Sequence, residues 1–290
     1  MSFLKLFGLA TLAMVAFAGN SILNRYALID GNLGAWTFTL IRLISGATML
    51  AFLTRFRLKE GSMIGAMSLL IYAGGFSYAY ITMDAGLGAL ILFAMVQFTM
   101  LGAGVQAGER LSPRQWCGAG LAFAALIWLL WPNHNGAASQ APAYLAIMSM
   151  AAAGIGWGVY SLVGRHSPNP LLSTAGNFAR ASLIALVLTI PVLFFSPEIK
   201  ASSNAVIAAV VSGALTSGVG YAIWYAVLPK LTRSQAGIMQ LSVPAIASVG
   251  GIIFLSEVLT RRVAISTALI LLGVGLATLS KKTSNLDTAR

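Results

Sequence analysis

Two arginines stand where charge is costly. Arg42 lies about six residues inside an apolar run and Arg180 about ten residues inside another, roughly 9 and 15 Å deep if both runs are helical. A guanidinium at such depth costs about 3 kcal/mol or more unless it is paired or hydrated, which makes each a candidate receptor for an anionic group. The alternative stays open for both: an arginine that snorkels, or that ties backbone carbonyls together at a helix end. No carboxylate lies deep in a run. Asp30, Glu60, Asp84, Glu109, Glu198, Glu257 and Asp287 all fall near run ends or between runs. Antiport of a cationic drug against protons calls for a buried acid, which balances the cation and exchanges the proton. The pattern therefore favours a solute with a carboxylate, zwitterionic or anionic.

Neutral groups supply the rest of a candidate cavity lining. Tyr78, Trp157, Tyr160, Tyr221 and Trp224 can stack on a ligand or bond to it, and Asn20, Gln97, Asn177 and Gln240 offer donors and acceptors. In the expected arrangement Arg180 attracts the carboxylate, aromatic residues of the sixth and eighth runs cap the cavity, and Gln97 and Gln240 orient the solute. The same amides also serve as helix–helix bonds worth about 0.6–2 kcal/mol. Pro244 removes a backbone bond and is expected to kink the ninth run. Gly154 and Gly158 have the spacing that lets two helices approach closely. Enzyme chemistry finds no support. There is no cluster with metal-ligand spacing, no nucleophile elbow and no phosphate loop, so no metal, cofactor or catalytic residue is expected.

The elements that must position these residues follow from composition. Apolar residues make up 58% of the 290 and charged residues 9%, against roughly 25% charged in ordinary soluble domains. Mean hydropathy is +0.84. A water-soluble fold cannot cover itself with so few polar groups, and a single cysteine, Cys117, excludes a disulfide scaffold. The net charge of +11 comes from basic residues scattered between apolar runs, so nucleic acid is not an expected partner. The expected fold is an all-α polytopic membrane protein with ten transmembrane helices near 3–24, 34–54, 62–81, 85–107, 113–131, 142–164, 170–195, 203–228, 234–256 and 262–280. With the N-terminus inside, Lys5, Arg55, Arg57, Lys59, Arg110, Arg114, Arg165, Lys230, Arg233, Lys281, Lys282 and Arg290 fall on the cytoplasmic side. Only Arg25, Lys200, Arg261 and Arg262 fall opposite. Both termini are therefore expected in the cytoplasm. Ala16-Phe17-Ala18 has the form of a signal-peptide cleavage site, but cleavage there would remove the first run, which the repeat below requires.

The two halves echo each other in order, at an offset of about 140 to 150 residues. Asn20-Ser21-Ile22-Leu23-Asn24-Arg25 matches Tyr160-Ser161-Leu162-Val163-Gly164-Arg165, and the stretch ending in Arg42 matches the one ending in Arg180. Gly75-Phe76-Ser77-Tyr78 matches Gly218-Val219-Gly220-Tyr221, and Gly108-Glu109-Arg110-Leu111 matches Ser256-Glu257-Val258-Leu259. Five runs per half is odd, so the second half is expected inverted, with a solute site between the halves. The domains are residues 1–132 and 142–281, joined by 133–141 and followed by a cytoplasmic tail, 282–290.

These residues resemble the EamA branch of the drug/metabolite transporter superfamily. The resemblance spans nearly the whole chain and rests on Gly108-Glu109-Arg110-Leu111-Ser112, Ser256-Glu257-Val258-Leu259-Thr260 and Leu241-Ser242-Val243-Pro244. Two features depart from the family pattern. Val96-Gln97 stands where a proline is common in the fourth run, and the second link lacks an arginine after its glutamate. The resemblance implies a bacterial inner-membrane permease that exports an amino acid or similar metabolite by alternating access, with the solute and the lipid bilayer as its partners; the oligomeric state stays open, a monomer being compatible. Related branches move sugar phosphates, nucleotide sugars or cationic drugs, so substrate is not copied from a relative. Uptake instead of export, or a scaffold or sensor that transports nothing, are the alternatives.

Overall fold

The computed structural model describes residues 3–29, 33–108, 111–131, 144–195, 201–231 and 239–278. Glu109, Arg110, the 133–141 link, the stretch Ala236-Gly237-Ile238 and the 282–290 tail lie outside them. Among the described residues the chain is helical, without strands. Helices α1 (Phe3–Leu28), α2 (Ala35–Leu53), α3 (Met63–Ala79), α4 (Ala85–Gln106) and α5 (Pro113–Leu130) make the first half. The second has α6 (Tyr144–Arg165), α7 (Pro170–Phe195), α8 (Ser203–Val227), α9 (Ser242–Leu255) and α10 (Arg261–Thr278). These bounds follow the expected runs within a few residues, except that α9 begins at Ser242 where the expected run starts at 234, residues 232–238 lying outside the described ones. Among the described residues six helices (α1, α2, α4, α6, α7 and α8) are long and apolar enough to cross a membrane. The surface is inverted relative to a soluble protein: Leu183, Val187, Ile253 and Phe254 are exposed, whereas Asn20, Asn24, Thr39 and Arg42 are buried. Water rewards neither choice; a hydrocarbon exterior rewards both.

Packing partners come in exchangeable pairs. α3 lies on α6 and α8 on α1; α4 lies on α6 and α9 on α1; α2 meets α8 and α3 meets α7. α2 with α7, α4 with α9, and α5 with α10 are each their own counterparts among these larger contacts. Swapping the halves maps this pattern onto itself. The links before α5 and α10 agree locally too. α4 ends on Gly108 and α9 on Ser256, both with positive φ (85° and 55°). Ser112 accepts from Gln115 N at the start of α5, and Thr260 accepts from Val263 N at the start of α10. A left-handed residue stops each helix, and a hydroxyl three residues beyond the glutamate caps the next.

With little hydrophobic force between helices in lipid, close contact depends on small residues. A methyl at Gly154 would sit 2.7 Å from the Leu92 carbonyl oxygen and one at Gly158 2.7 Å from Thr99, both on α4. Gly156 between them faces Ser68 and Tyr72 on α3. The expected close approach at Gly154 and Gly158 is thus real, and its partner is α4. The helical path is interrupted at Leu241, between the helical residues 239–240 and α9, three residues before Pro244, whose missing N–H cannot bond four residues back. Trp116, Trp128 and Trp131 are exposed near helix ends, as an interfacial belt requires, whereas Trp36 donates to Thr189 Oγ1 on α7 at 2.8 Å.

Candidate functional site

At the seam between the halves one arginine is sealed among aromatic rings. Arg42 of α2 is 1% exposed. Its Nη2 donates to the Tyr72 hydroxyl at 2.8 Å and its Nε to Ser217 Oγ at 3.2 Å. The guanidinium carbon sits 5.0 Å from the Tyr72 ring centre and 5.1 Å from that of Phe76, geometry worth about 0.5–2 kcal/mol in a desolvated place. Nη1 has no hydrogen-bond partner among the described residues. The Tyr221 hydroxyl faces the same guanidinium without a hydrogen bond. The ion pairs among the described residues involve Arg25 and Arg57, so no carboxylate balances Arg42.

α8 reaches this arginine through an irregular segment. Ser212–Val219 is a π-helix, a form that occurs mostly as short insertions at functional places. It turns Ser212, Thr216 and Ser217 toward Asn20 of α1, whose Oδ1 accepts from all three hydroxyls. Arg42, Ser217 and Asn20 therefore form one chain of bonds across α2, α8 and α1. The close approach depends on Gly213, because a methyl there would collide with the Arg42 carbonyl oxygen and the Ser45 hydroxyl.

Aromatic residues close around this chain. Trp157 of α6 lies 4.9 Å from Tyr72, 5.0 Å from Tyr221 and 5.5 Å from Tyr160, ring centre to ring centre, stacking on Tyr160. Phe17 of α1 makes edge contacts with Trp157, Tyr221 and Trp224, and Phe178 of α7 with Tyr221. The structure thus brings together Asn20, Arg42, Trp157, Tyr160, Tyr221 and Trp224 from the expected set. They are packed against one another around the Arg42 guanidinium.

Other expected residues sit elsewhere. Arg180 donates through Nη1 to the Glu60 carbonyl at 2.6 Å and through Nη2 to that of Lys59 at 2.8 Å. Asn177, one turn earlier on α7, accepts from Ser62 N at 2.8 Å. Both hold the α2–α3 link, which is the carbonyl-binding alternative for Arg180. Tyr78 is 45% exposed. It lies about 200° round the helix from Phe76, whereas Tyr72, Phe76 and Tyr80, four residues apart, face inward. Matching Tyr78 to Tyr221 across the repeat hid that ladder, which the four-residue spacing alone would have revealed. Gln97 and Gln240 are half-buried and take no part in the bonds and ring contacts above. Tyr72, Phe76, Phe178 and Ser217 were not anticipated.

A second polar cluster caps one end of the bundle. Arg25, at the end of α1, donates to the carbonyls of Tyr80 (3.1 Å) and Ile81 (2.8 Å) after α3. Its guanidinium lies 3.9 Å from Asp84 Oδ1 and 3.7 Å from Glu257 Oε1. Glu257 also accepts from Ala85 N, the first residue of α4, at 2.9 and 3.0 Å, where the helix dipole favours negative charge. Ser256 in the left-handed conformation turns the chain back, and Glu257 N donates to Gly251 O at 3.1 Å. Gly251 leaves space for the carboxylate that any side chain would occupy. Burial, the largest influence, pushes this carboxyl above the ordinary carboxylate value; Ala85 N–H opposes it, Asp84 adds to it and Arg25 opposes it.

Comparison with known proteins adds identity to this geometry. The profile of the EamA-like transporter family matches residues 144–279. An uncharacterised protein of Pseudomonas aeruginosa is 43% identical over 92% of each chain. A protein of Escherichia coli K12 named as a probable amino-acid metabolite efflux pump is 27% identical over 66% of this chain and 67% of its own. A solved crystal structure with 19% identity superposes with a TM-score of 0.65 over 96% of this chain and 98% of that one, which concerns the fold alone.

Proposed function

We propose that this chain, which belongs to the EamA-like transporter family, exports a small carboxylate-bearing metabolite, an amino acid or close relative, across the bacterial inner membrane, with Arg42 as receptor for the carboxylate. The observation that carries the substrate class is the Nη1 of Arg42, buried, without a hydrogen bond and without a neighbouring acid. A buried charged donor left unpaired costs about 1–3 kcal/mol or more, and a carboxylate arriving there recovers that energy. Asn20 and the π-segment hydroxyls orient the solute, and Trp157, Tyr160, Tyr221 and Trp224 enclose it. Arg180 and Asn177 act at one remove, by holding the α2–α3 link. The exchangeable packing partners support two inverted five-helix repeats with ten spans. Alternating access then moves the halves about the Arg42 seam, with the present conformation closed around it. The relative named as an amino-acid metabolite efflux pump supports this substrate class and direction.

Counterflow in proteoliposomes tests this. A radiolabelled amino-acid mixture is expected to exchange across the membrane, and labelled quaternary ammonium ions are not. Arg42→Gln is expected to abolish exchange in protein that still elutes as a folded species. Exchange of cations only, or unchanged amino-acid exchange in Arg42→Gln, rejects the assignment.

A further inference from the structure

The cluster at Arg25 has an imbalance that the transport site does not use. One guanidinium faces two carboxylates, those of Asp84 and Glu257. Arg25 is 9% exposed, and its Nε makes no hydrogen bond although Glu257 Oε1 lies 3.7 Å away. The side chain of Glu257 is 8% exposed and that of Asp84 53%. Tyr80 also faces this carboxyl. Beside Glu257 lies a pocket of about 20 Å³, room for one water, bordered by Asp84, Gly86, Leu87 and Ser248. The pocket brings half-exposed Asp84 to the edge of the Glu257 carboxyl.

The bonds of this cluster divide unevenly between the halves. Arg25 holds Tyr80 O, Ile81 O and Asp84 within the first half, whereas Glu257 alone among these groups comes from the second. Its hydrogen bonds from Ala85 N and its ion pair with Arg25 fasten the end of α9 to the start of α4 and the end of α1. Separating the halves at this mouth returns the Glu257 carboxyl to water. Closing them buries it next to a second carboxylate that shares Arg25, the cation paired with both among the described residues.

We propose that Glu257 is a proton-binding latch: closing this mouth takes up a proton on its carboxyl, and opening the mouth releases that proton. The charge count sets the sign. With both acids ionised the closed cluster carries one negative charge too many, and a proton on Glu257 neutralises it. The neutral carboxyl still accepts from Ala85 N through its carbonyl oxygen, and Arg25 remains with Asp84. Burial and Asp84 outweighing Arg25 and the Ala85 N–H agree with this direction. Lower pH thus favours the closed mouth. The latch takes its place in a transport cycle from the reading above, and supplies that cycle with a step sensitive to proton concentration.

The test needs no known solute. Spin labels at Thr82→Cys and Val258→Cys, in a Cys117→Ala background, report the distance across the mouth in nanodiscs. The expected result is a short distance at low pH giving way to a longer one as pH rises, with Glu257→Gln short at every pH. Asp84→Asn, which removes no capping bond, should leave the distance shorter at high pH than in the unsubstituted protein, because ionised Glu257 then has Arg25 to itself. An infrared pH titration should show a protonated-carboxyl band that Glu257→Gln removes. A distance that ignores pH, or a pH response that survives Glu257→Gln, overturns the proposal; should that variant fail to fold, an Asp84→Asn protein that opens as far at high pH as the unsubstituted one does so. Loss of all solute exchange with the distance response intact would instead reject the transporter reading and leave the latch standing.

Discussion

Tyr72 both bonds to and underlies Arg42: its hydroxyl accepts from Nη2 at 2.8 Å while its ring centre lies 5.0 Å from the guanidinium carbon. The two contributions separate experimentally. Tyr72→Phe keeps the ring and removes the acceptor, so it should lower stability by about 1–3 kcal/mol, read as the denaturation midpoint in detergent. Arg42→Met removes the buried charge itself and should leave stability equal or higher while abolishing counterflow. A variant at Arg42 that loses stability and transport in parallel would point to a bundle-bracing arginine instead.

The α2–α8 contact offers a packing prediction. Gly213→Ala adds a methyl that meets the Arg42 carbonyl and Ser45, an overpacking worth about 1–3 kcal/mol. Gly120→Ala, with open space around it, serves as the control and should cost nothing, with a gain of up to about 1 kcal/mol from helix propensity. Equal melting temperatures for the two variants would contradict the close approach at the π-segment.

Arg180 should behave as a holder of backbone, not as a solute receptor. Arg180→Ala removes two bonds to the carbonyls of residues 59 and 60, at about 1–2 kcal/mol in total after allowance for partial exposure. Hydrogen exchange at Ser62 and Gly65 should accelerate, while the preference for carboxylate solutes is kept. A selective rise in KM for those solutes without faster exchange would return Arg180 to the binding site.

Glu257 gives the stability curve a definite slope. Its carboxyl binds a proton more tightly folded than unfolded. Between the ordinary carboxylate value and the raised folded one the native state holds more protons, so stability falls as pH rises through that window and is flat on either side. Glu257→Gln should remove that part of the slope in a pH series of thermal unfolding.

Apolar run lengths and the separating charges set out the helices, because a chain with 9% charged residues has one solvent in which its backbone is satisfied, and a helix satisfies it locally. The paired links around Glu109 and Glu257 were legible for the same reason: a left-handed stop and a hydroxyl cap are local geometry. Depth along the chain marked Arg42 and Arg180 equally as buried cations. Only the packing of α2 against the α8 π-segment sealed Arg42 among Tyr72, Phe76 and Ser217, and only the inward fold of the α2–α3 link gave Arg180 two carbonyls to hold. Glu257 reads in sequence as a loop acid; its burial depends on the return at Ser256, the space at Gly251 and the start of α4, residues far apart in the chain. Local pattern fixes where a helix runs, but whether a polar side chain on it meets solute, backbone or lipid depends on which neighbour covers that face.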